Sequence, residues 1–457
     1  MTLLLGDRRH LHLVGIGGAG MSGIARILLQ RGHRVSGSDL REGRALEELR
    51  VLGAGVHVGH AAEHLGAVDA VVVSTAVAPD NPEVVAARQR GLPVLRRAEM
   101  LAELMVGERG VLIAGTHGKT TTTSMAVVAL QAAGLDPSFA IGGSLNEIGT
   151  NAHGGTDGVF VAEADESDRS LLVFRPDLAV VTNIELDHPD EFEDDAAVAE
   201  VFRSFLAARR TGAPAVLGVD DPGAAELALR IAPPVVTFGT DPRAEVRVVP
   251  GPDGDHELRA GGESLVRFRL AVPGRHNVLN AAAALTVVRE LGLDLDAAAG
   301  GLRRFAGAAR RYQRLGRSGG VTVVDDYAHH PTELRATLAA SRAEEPRRVV
   351  VVVQPHRYSR TAVLGEELGR AAAAAELVVV TDVYGSSERP VPGVTGRLVA
   401  EAAEAAGASV LYVPHLGDLV DTLLSVVVPG DLVLTTGAGD VTQVGPALLA
   451  RLGGGVG

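Results

Sequence analysis

The stretch GTHGKTTTT, residues 115–123, follows the apolar run 111–114 and opens onto a segment with helical composition. A glycine turn between a strand and a helix aims backbone N–H groups, and the helix N-terminus, at a bound phosphate. The turn also holds the only lysine among the 43 Lys and Arg residues of the chain. A compact ammonium at Lys119 suits the β- and γ-phosphates of a nucleotide, and the Thr120 hydroxyl suits Mg²⁺. Arginine is planar and forked and does not fit such a cradle, which explains a lysine here and arginine at every other basic position. The expected phosphate loop is Gly115, Thr116, His117, Gly118, Lys119, Thr120 and Thr121. It departs from the full G-x-x-x-x-G-K-[ST] pattern at Ile113. The alternative is an ordinary strand–helix turn with a solvated lysine.

Outward from this loop, strand, glycine turn and helix alternate almost throughout, which predicts doubly wound parallel sheets. A chain of 457 residues exceeds a single core, so two or three domains are expected. Strands are expected at 11–15, 34–39 and 69–75, with a linking helix within 96–110. A second series runs from 111 through 159–163 and 178–183. Short alternating segments over 240–270, with a Gly251-Pro-Asp-Gly254 turn, predict small antiparallel strands. A third series starts at Val321 and continues at 349–353, 377–381, 409–413 and 432–435; the glycine stretch 316–320 lies near its boundary. The expected fold class is α/β in three domains. Residues 1–106 form a Rossmann-like N-terminal domain, 107–314 a central P-loop-type mononucleotide-binding ATPase domain, and 315–457 a C-terminal Rossmann-like domain.

Net charge is −13, which disfavours a nucleic-acid surface. Without cysteine there is no disulfide, thiolate nucleophile or thiolate-ligated metal. The apolar run in residues 1–10 is short for a signal peptide, and the valines at 349–353 are far short of a membrane span. A soluble, cytoplasmic chain with neither nucleic-acid nor membrane partner is expected.

Three more groups carry chemistry. Gly15, Gly17, Gly18 and Gly20 form a turn between strand and helix, with Asp39 ending the next strand. On spacing alone this is a dinucleotide fingerprint, which an NAD-dependent oxidoreductase would use. The same turn would serve the diphosphate of a nucleotide sugar. Glu163 to Asp168, and Asn183 to His188, place carboxylates and an imidazole at ends of parallel strands, where Glu163 and His188 can ligate a metal beside a phosphate loop. Residues 190–195 read as a solvated acidic loop. Asn277 and Asn280, three apart at a helix start, can point the same way. Arg310, Arg311, Asp325, Asp326, Tyr327, His329, His330, His356, Arg357 and Arg360 look like groups that grip polar substrate at strand ends. No H-E-x-x-H spacing occurs among them, so no zinc site is expected there.

The ordered series GIGGAGMSGIA, AGTHGKTTT, EADESD, TNIELDH, PGRHNVLNAAAA, DDYAHHPTE and QPHRYSRT resembles the Mur ligase family of peptidoglycan synthesis. These motifs span residues 15–361. The resemblance implies ATP-dependent ligation of L-alanine to the lactyl carboxylate of UDP-N-acetylmuramate, with Mg²⁺ (Mn²⁺ as an alternative), in a monomer or homodimer. It implies catalytic roles for Lys119, Glu163, His188, Asn277, Arg311 and Asp326, and metal ligation by Thr120, Glu163 and His188. Residues 115–121 would bind ATP together with Asn280, Arg311 and Asp326. Gly15, Gly17, Gly18, Gly20, Ser38, Asp39, Ser74 and Thr75 would bind the UDP-sugar. Tyr327, His329, Arg357 and Arg360 would lie near the amino acid and phosphates. The resemblance also implies that several sister ligases, adding glutamate or the third residue, carry a carbamoylated lysine. The sole lysine here, Lys119, is already assigned to ATP, which fits an alanine-adding branch.

Overall fold

The five valines of the strand Arg348–Val353 show how these sheets form. Side chains alternate across a strand, so Val349, Val351 and Val353 enter one core with Leu334, Leu368 and Val399. Val350 and Val352 enter the opposite core with Leu419, Leu423 and Leu448. An all-apolar strand is thus the mark of a sheet covered by helices on both faces.

The computed structural model describes residues 5, 8–145, 149–251 and 254–454. Among them are three sheets. The first orders β3-β2-β1-β4-β5, all parallel: β1 (His10–Val14), β2 (Arg34–Asp39), β3 (Gly55–Val58), β4 (Ala70–Val73) and β5 (Val94–Arg96). The strand order reverses between β1 and β4, and ligands of such sheets lie beyond the carboxyl ends there. The helix Arg97–Leu104 then leads into the second sheet.

That sheet has ten strands ordered β15-β14-β13-β12-β11-β10-β6-β9-β7-β8. They are β6 (Arg109–Ala114), β7 (Ser138–Ala140), β8 (Ala152–His153), β9 (Val159–Glu163), β10 (Leu178–Val181), β11 (Ala215–Gly218), β12 (Val235–Gly239), β13 (Val246–Pro250), β14 (His256–Ala260) and β15 (Glu263–Phe268). The strands β13 to β15 are the antiparallel segment expected over 240–270. Pro252 and Asp253 of the expected turn lie outside the described residues, as do most of the first ten.

The third sheet orders β16-β17-β21-β18-β19-β20: β16 (Gln313–Ser318), β17 (Val321–Asp326), β18 (Arg348–Val353), β19 (Leu377–Val380), β20 (Val410–Tyr412) and β21 (Asp431–Thr436). Only β16 is antiparallel to its neighbour. The glycine stretch 316–320, expected near a domain boundary, lies within this sheet. It supplies the end of β16 and a two-residue hairpin turn, where Gly319 and Gly320 take φ of 58° and 80°.

The described residues divide into two compact units. One comprises 1–184, 199–269 and 280–305, with the first two sheets; the other comprises 185–198, 270–279 and 306–457, with the third. No described helix is long and apolar enough to cross a membrane.

The core of the first sheet holds an unusual polar cluster. Glu83 is fully buried; it accepts from the Ser38 hydroxyl and lies 3.1 Å from His64 Nδ1 and 3.7 Å from His12 Nε2. Burial alone would raise its pKa, but His12, Ser38 and His64 outweigh that and lower it from an ordinary 4.5 to about 2. A carboxylate with a depressed folded-state pKa contributes stability above 4.5 that is lost as pH falls through 2. Glu83→Gln should therefore cost on the order of 2 kcal/mol at pH 5, and the difference should vanish near pH 2, read from urea midpoints. In the second unit, a Cβ at Gly369 would stand 2.3 Å from the Val399 carbonyl of the neighbouring helix Gly396–Ala405. In an exposed helix Gly→Ala stabilises by about 1 kcal/mol. Here Gly369→Ala should instead destabilise by about 1–3 kcal/mol in the same measurement.

Candidate functional site

The loop after β6 takes its shape from the strand beside it. Thr182 and Asn183, just past β10, both donate to the His117 carbonyl, at 2.7 and 2.9 Å, and the His117 N–H returns a bond to Asn183 Oδ1 at 2.8 Å. Gly115 has φ +135°, and a Cβ there would lie 2.0 Å from Thr182 Oγ1. Gly118, at φ +81°, would meet Asn280 Oδ1 at 2.7 Å. Both glycines are thus required by backbone conformation and by close approach. The helix Lys119–Ala132 starts at once, and its first N–H groups have no intrahelical acceptor, which is the geometry of an anion cradle.

Lys119 folds over this loop. Its Nζ donates to the carbonyls of Gly115 (2.7 Å) and Thr116 (3.2 Å) and to both oxygens of Glu166 (3.0 and 2.8 Å). Burial alone would lower its pKa, but Glu166, Asp165 and Glu163 raise it, so the ammonium stays charged. Thr120 donates to Glu163 Oε2 at 3.1 Å, and Glu163 Oε1 accepts from the Gly142 N–H at 2.6 Å. Of the three expected metal ligands, Thr120 and Glu163 are thereby joined, while His188 belongs to the second unit. Thr121 is buried in the first helical turn, and Asn280 accepts from Thr122 at 3.0 Å.

At the first sheet, Gly15 (φ +79°) turns the chain so that its own N–H and that of Ile16 reach the Ser38 carbonyl, at 2.8 and 3.0 Å. Asp39 Oδ2 accepts from the Gly17 N–H at 2.9 Å, and Gly18 precedes the helix Ala19–Gln30. Ser38 is fully buried, its hydroxyl committed to Glu83 and 2.9 Å from His60 Nδ1. It shapes the turn through its carbonyl. Gly20 packs on the Arg97 side chain, and Gly23 lets Ala152 of β8 approach. Ser74 and Thr75 line a cavity of about 740 Å³ at the ends of β4 and β5, with Arg88, Arg96 and Arg169 among its walls.

The second unit gathers the remaining residues around Asp187. Arg360 Nε donates to Asp187 Oδ1 at 2.7 Å; His188 Nε2 and His329 Nε2 lie 3.6 and 3.9 Å from Oδ2. Burial opposes ionisation of Asp187, but the Arg360 guanidinium overcomes it and holds the carboxyl far below its usual range. Burial pushes His329 down to about 4 and His356 down to about 3, so both imidazoles are neutral at physiological pH. Arg357 sits between Asp190 (2.9 Å) and Glu388 (3.0 Å), so Asp190 is an ion-pair partner and not merely part of a solvated loop. Arg311 stands 4.9 Å from the Tyr327 ring centroid, a cation–π distance. Asp326 accepts from the N–H groups of Tyr312 and Ala328, each at 2.7 Å; burial pushes it up to about 6. Asn277 donates to the Pro273 carbonyl at 2.5 Å and, like Arg311 and Asp326, falls in the second unit, apart from Asn280.

Sequence reasoning placed Glu166, Asn183 and Asp187 in its acidic groups without giving them a role, and it did not single out Thr182. All lie in motifs whose neighbours drew attention. The available signal was their position at the ends of strands flanking the phosphate loop.

Comparison with known proteins places this geometry. The chain matches the model of the Mur ligase family catalytic domain over residues 10–109, the Mur ligase middle domain over 113–288, and the Mur ligase glutamate ligase domain over 310–439. It is 50% identical to a UDP-N-acetylmuramate–L-alanine ligase of Nocardia farcinica, covering 98% of this chain and 95% of that protein. It is also 50% identical to one of Acidothermus cellulolyticus, covering 96% and 94%. The crystal structure of the UDP-N-acetylmuramate–alanine ligase of Thermotoga maritima superposes with a TM-score of 0.81 at 28% identity, over 97% of this chain and 99% of that one. A murein peptide ligase of Psychrobacter arcticus shares the fold, with a TM-score of 0.72 at 23% identity over 98% and 100%. With a phosphate loop between β6 and its helix and this similarity from end to end, the chain belongs to the Mur ligase family.

Proposed function

We propose that this protein ligates L-alanine to the lactyl carboxylate of UDP-N-acetylmuramate at the expense of ATP, giving ADP and phosphate, in peptidoglycan precursor synthesis. The observation that carries this is the full-length similarity at 50% identity to ligases of that name. The Mur ligase family is ATP-dependent, and the loop 115–121 supplies a cradle of the kind ATP needs. An NAD-dependent oxidoreductase would leave Lys119 and Glu163 without a role.

An unactivated carboxylate does not form an amide in water. Transfer of the γ-phosphoryl group to the lactyl carboxylate makes an acyl phosphate; the alanine amine attacks its carbonyl carbon, and the tetrahedral intermediate expels phosphate. No protein nucleophile is required, so the chain's task is positioning and charge stabilisation. Residues 115–121 hold the phosphates, with Lys119 facing the transferred group; Asn280, Asn277, Arg311 and Asp326 complete the nucleotide site. The Thr120 hydroxyl and Glu163 carboxylate are hard oxygen donors held together, which fits Mg²⁺, and His188 is assigned as the further ligand. Bound there, the ion would neutralise phosphate charge. Gly15, Gly17, Gly18 and Gly20, with Asp39, Ser74 and Thr75, take the UDP-sugar; Ser38 acts through its backbone. Tyr327, His329, Arg357 and Arg360 take the amino acid and phosphates, Arg360 being oriented by Asp187. Residues 1–106, 107–314 and 315–457 are assigned as the UDP-sugar, ATP and closing domains of a cytoplasmic monomer or homodimer.

The test is phosphate release from ATP with UDP-N-acetylmuramate and Mg²⁺, adding L-alanine, L-alanyl-D-glutamyl-diaminopimelate, or neither. Release that requires L-alanine is expected; release that requires the tripeptide, or none at all, overturns the reading. Lys119→Arg should keep the circular-dichroism spectrum and lose about 100-fold or more in kcat, since a charge-stabilising group is displaced. Wild-type turnover by this variant would refute the phosphate-loop assignment.

A further inference from the structure

Glu166 is the buried carboxylate of the 163–168 motif and has no part in the mechanism above. It is 2% exposed, and both its oxygens accept from Lys119 Nζ. That ammonium has three N–H groups and four acceptors within 3.2 Å, the other two being the carbonyls of Gly115 and Thr116. The acceptors differ in kind. The carbonyls are neutral and belong to the loop that faces the phosphates. Glu166 is shut away from water and holds its charge only beside that cation, so parting the two would leave a buried carboxylate that must stay uncompensated or take up a proton. Burial first, and then the charge of Asp165, push Glu166 up to about 7 against the pull of Lys119; its ionised form depends on that partner. An arriving phosphate oxygen therefore displaces the carbonyls from Nζ more readily than it displaces Glu166.

We propose that Glu166 is a positioning residue for phosphoryl transfer: it stays bound to Lys119 when ATP enters and fixes the ammonium where charge develops on the transferred group. The proposal rests on the reading of the loop as an ATP site. It has two consequences of opposite sign. Holding Lys119 in place lowers the barrier, because a misplaced charge-stabilising group forfeits much of its effect. A second negative charge behind Lys119 weakens the attraction of the loop for ATP itself. A residue that merely supported the fold would not separate these two effects.

The full-length protein and its Glu166→Gln and Glu166→Asp variants decide the matter at pH 8. Isothermal titration with Mg-ATP alone gives Kd, and alanine-dependent phosphate release gives kcat. Glu166→Gln should lower kcat by about 10- to 100-fold while binding ATP several-fold more tightly. Glu166→Asp keeps the charge on a shorter arm; it should lower kcat less and leave Kd near wild type. Unchanged kcat in Glu166→Gln, or weaker ATP binding alongside the lost turnover, overturns the proposal. If Glu166→Gln does not fold, Glu166→Asp decides: lost turnover at unweakened Kd supports the role, and wild-type turnover removes it. If wild type binds ATP yet never releases phosphate, the ligase reading falls. The Kd arm then still decides, tighter binding by Glu166→Gln supporting the role and weaker binding refuting it.

Discussion

The first unit is organised around a largely buried cation. The Lys119 ammonium needs acceptors on every side because it is withdrawn from water, and the structure supplies two loop carbonyls and a carboxylate. Those carbonyls are in place only because Gly115 and Gly118 take left-handed conformations, with Thr182 and Asn280 packed where side chains would have been. Thr182 lies just past β10 and Glu166 just past β9, the two strands that flank β6 in the sheet. The parallel sheet thus brings three carboxyl ends to one place, and the loop chemistry follows from that convergence.

The second unit solves a related problem differently. Its hub, Asp187, is an anion surrounded by Arg360 and three imidazoles, of which His329 and His356 are kept neutral by burial. On the proposed placement of the amino acid, protonated histidines here would repel its ammonium form and compete with it for Asp187. Arginines are the fixed positive charges there: Arg357 is the N-cap of the helix Tyr358–Ala372 and Arg360 lies in its first turn.

Much of this was legible in the sequence because it is written in short-range code. Glycine before and after a turn, a lysine followed by threonine, and valine runs bounded by glycine all act through local backbone geometry. What was not legible depends on pairing across the fold. Glu166 and Asp187 look like their acidic neighbours, and only the placement of Lys119 and Arg360 singles them out. The family resemblance gave Ser38 a ligand contact, yet its hydroxyl points into the core and donates to Glu83, 45 residues further on. The glycines at 316–320 marked only the neighbourhood of a boundary, since glycine composition alone does not reveal the hairpin they form.

The same contrast bears on how catalysis and stability divide between residues. Asp326 fits a ligand site by its position at the end of β17, but both its oxygens accept backbone N–H groups, from Tyr312 and Ala328. Each of those residues follows a proposed contact group, Arg311 and Tyr327. A carboxylate that fixes two separate backbone segments in this way also helps set where the arginine and the tyrosine beside them start. Glu166 stands to Lys119, and Asp187 to Arg360, as Asp326 stands to that pair. In each case a buried carboxylate holds or adjoins a group proposed to face the ligand, and the cost of burying it is met by the bonds it accepts.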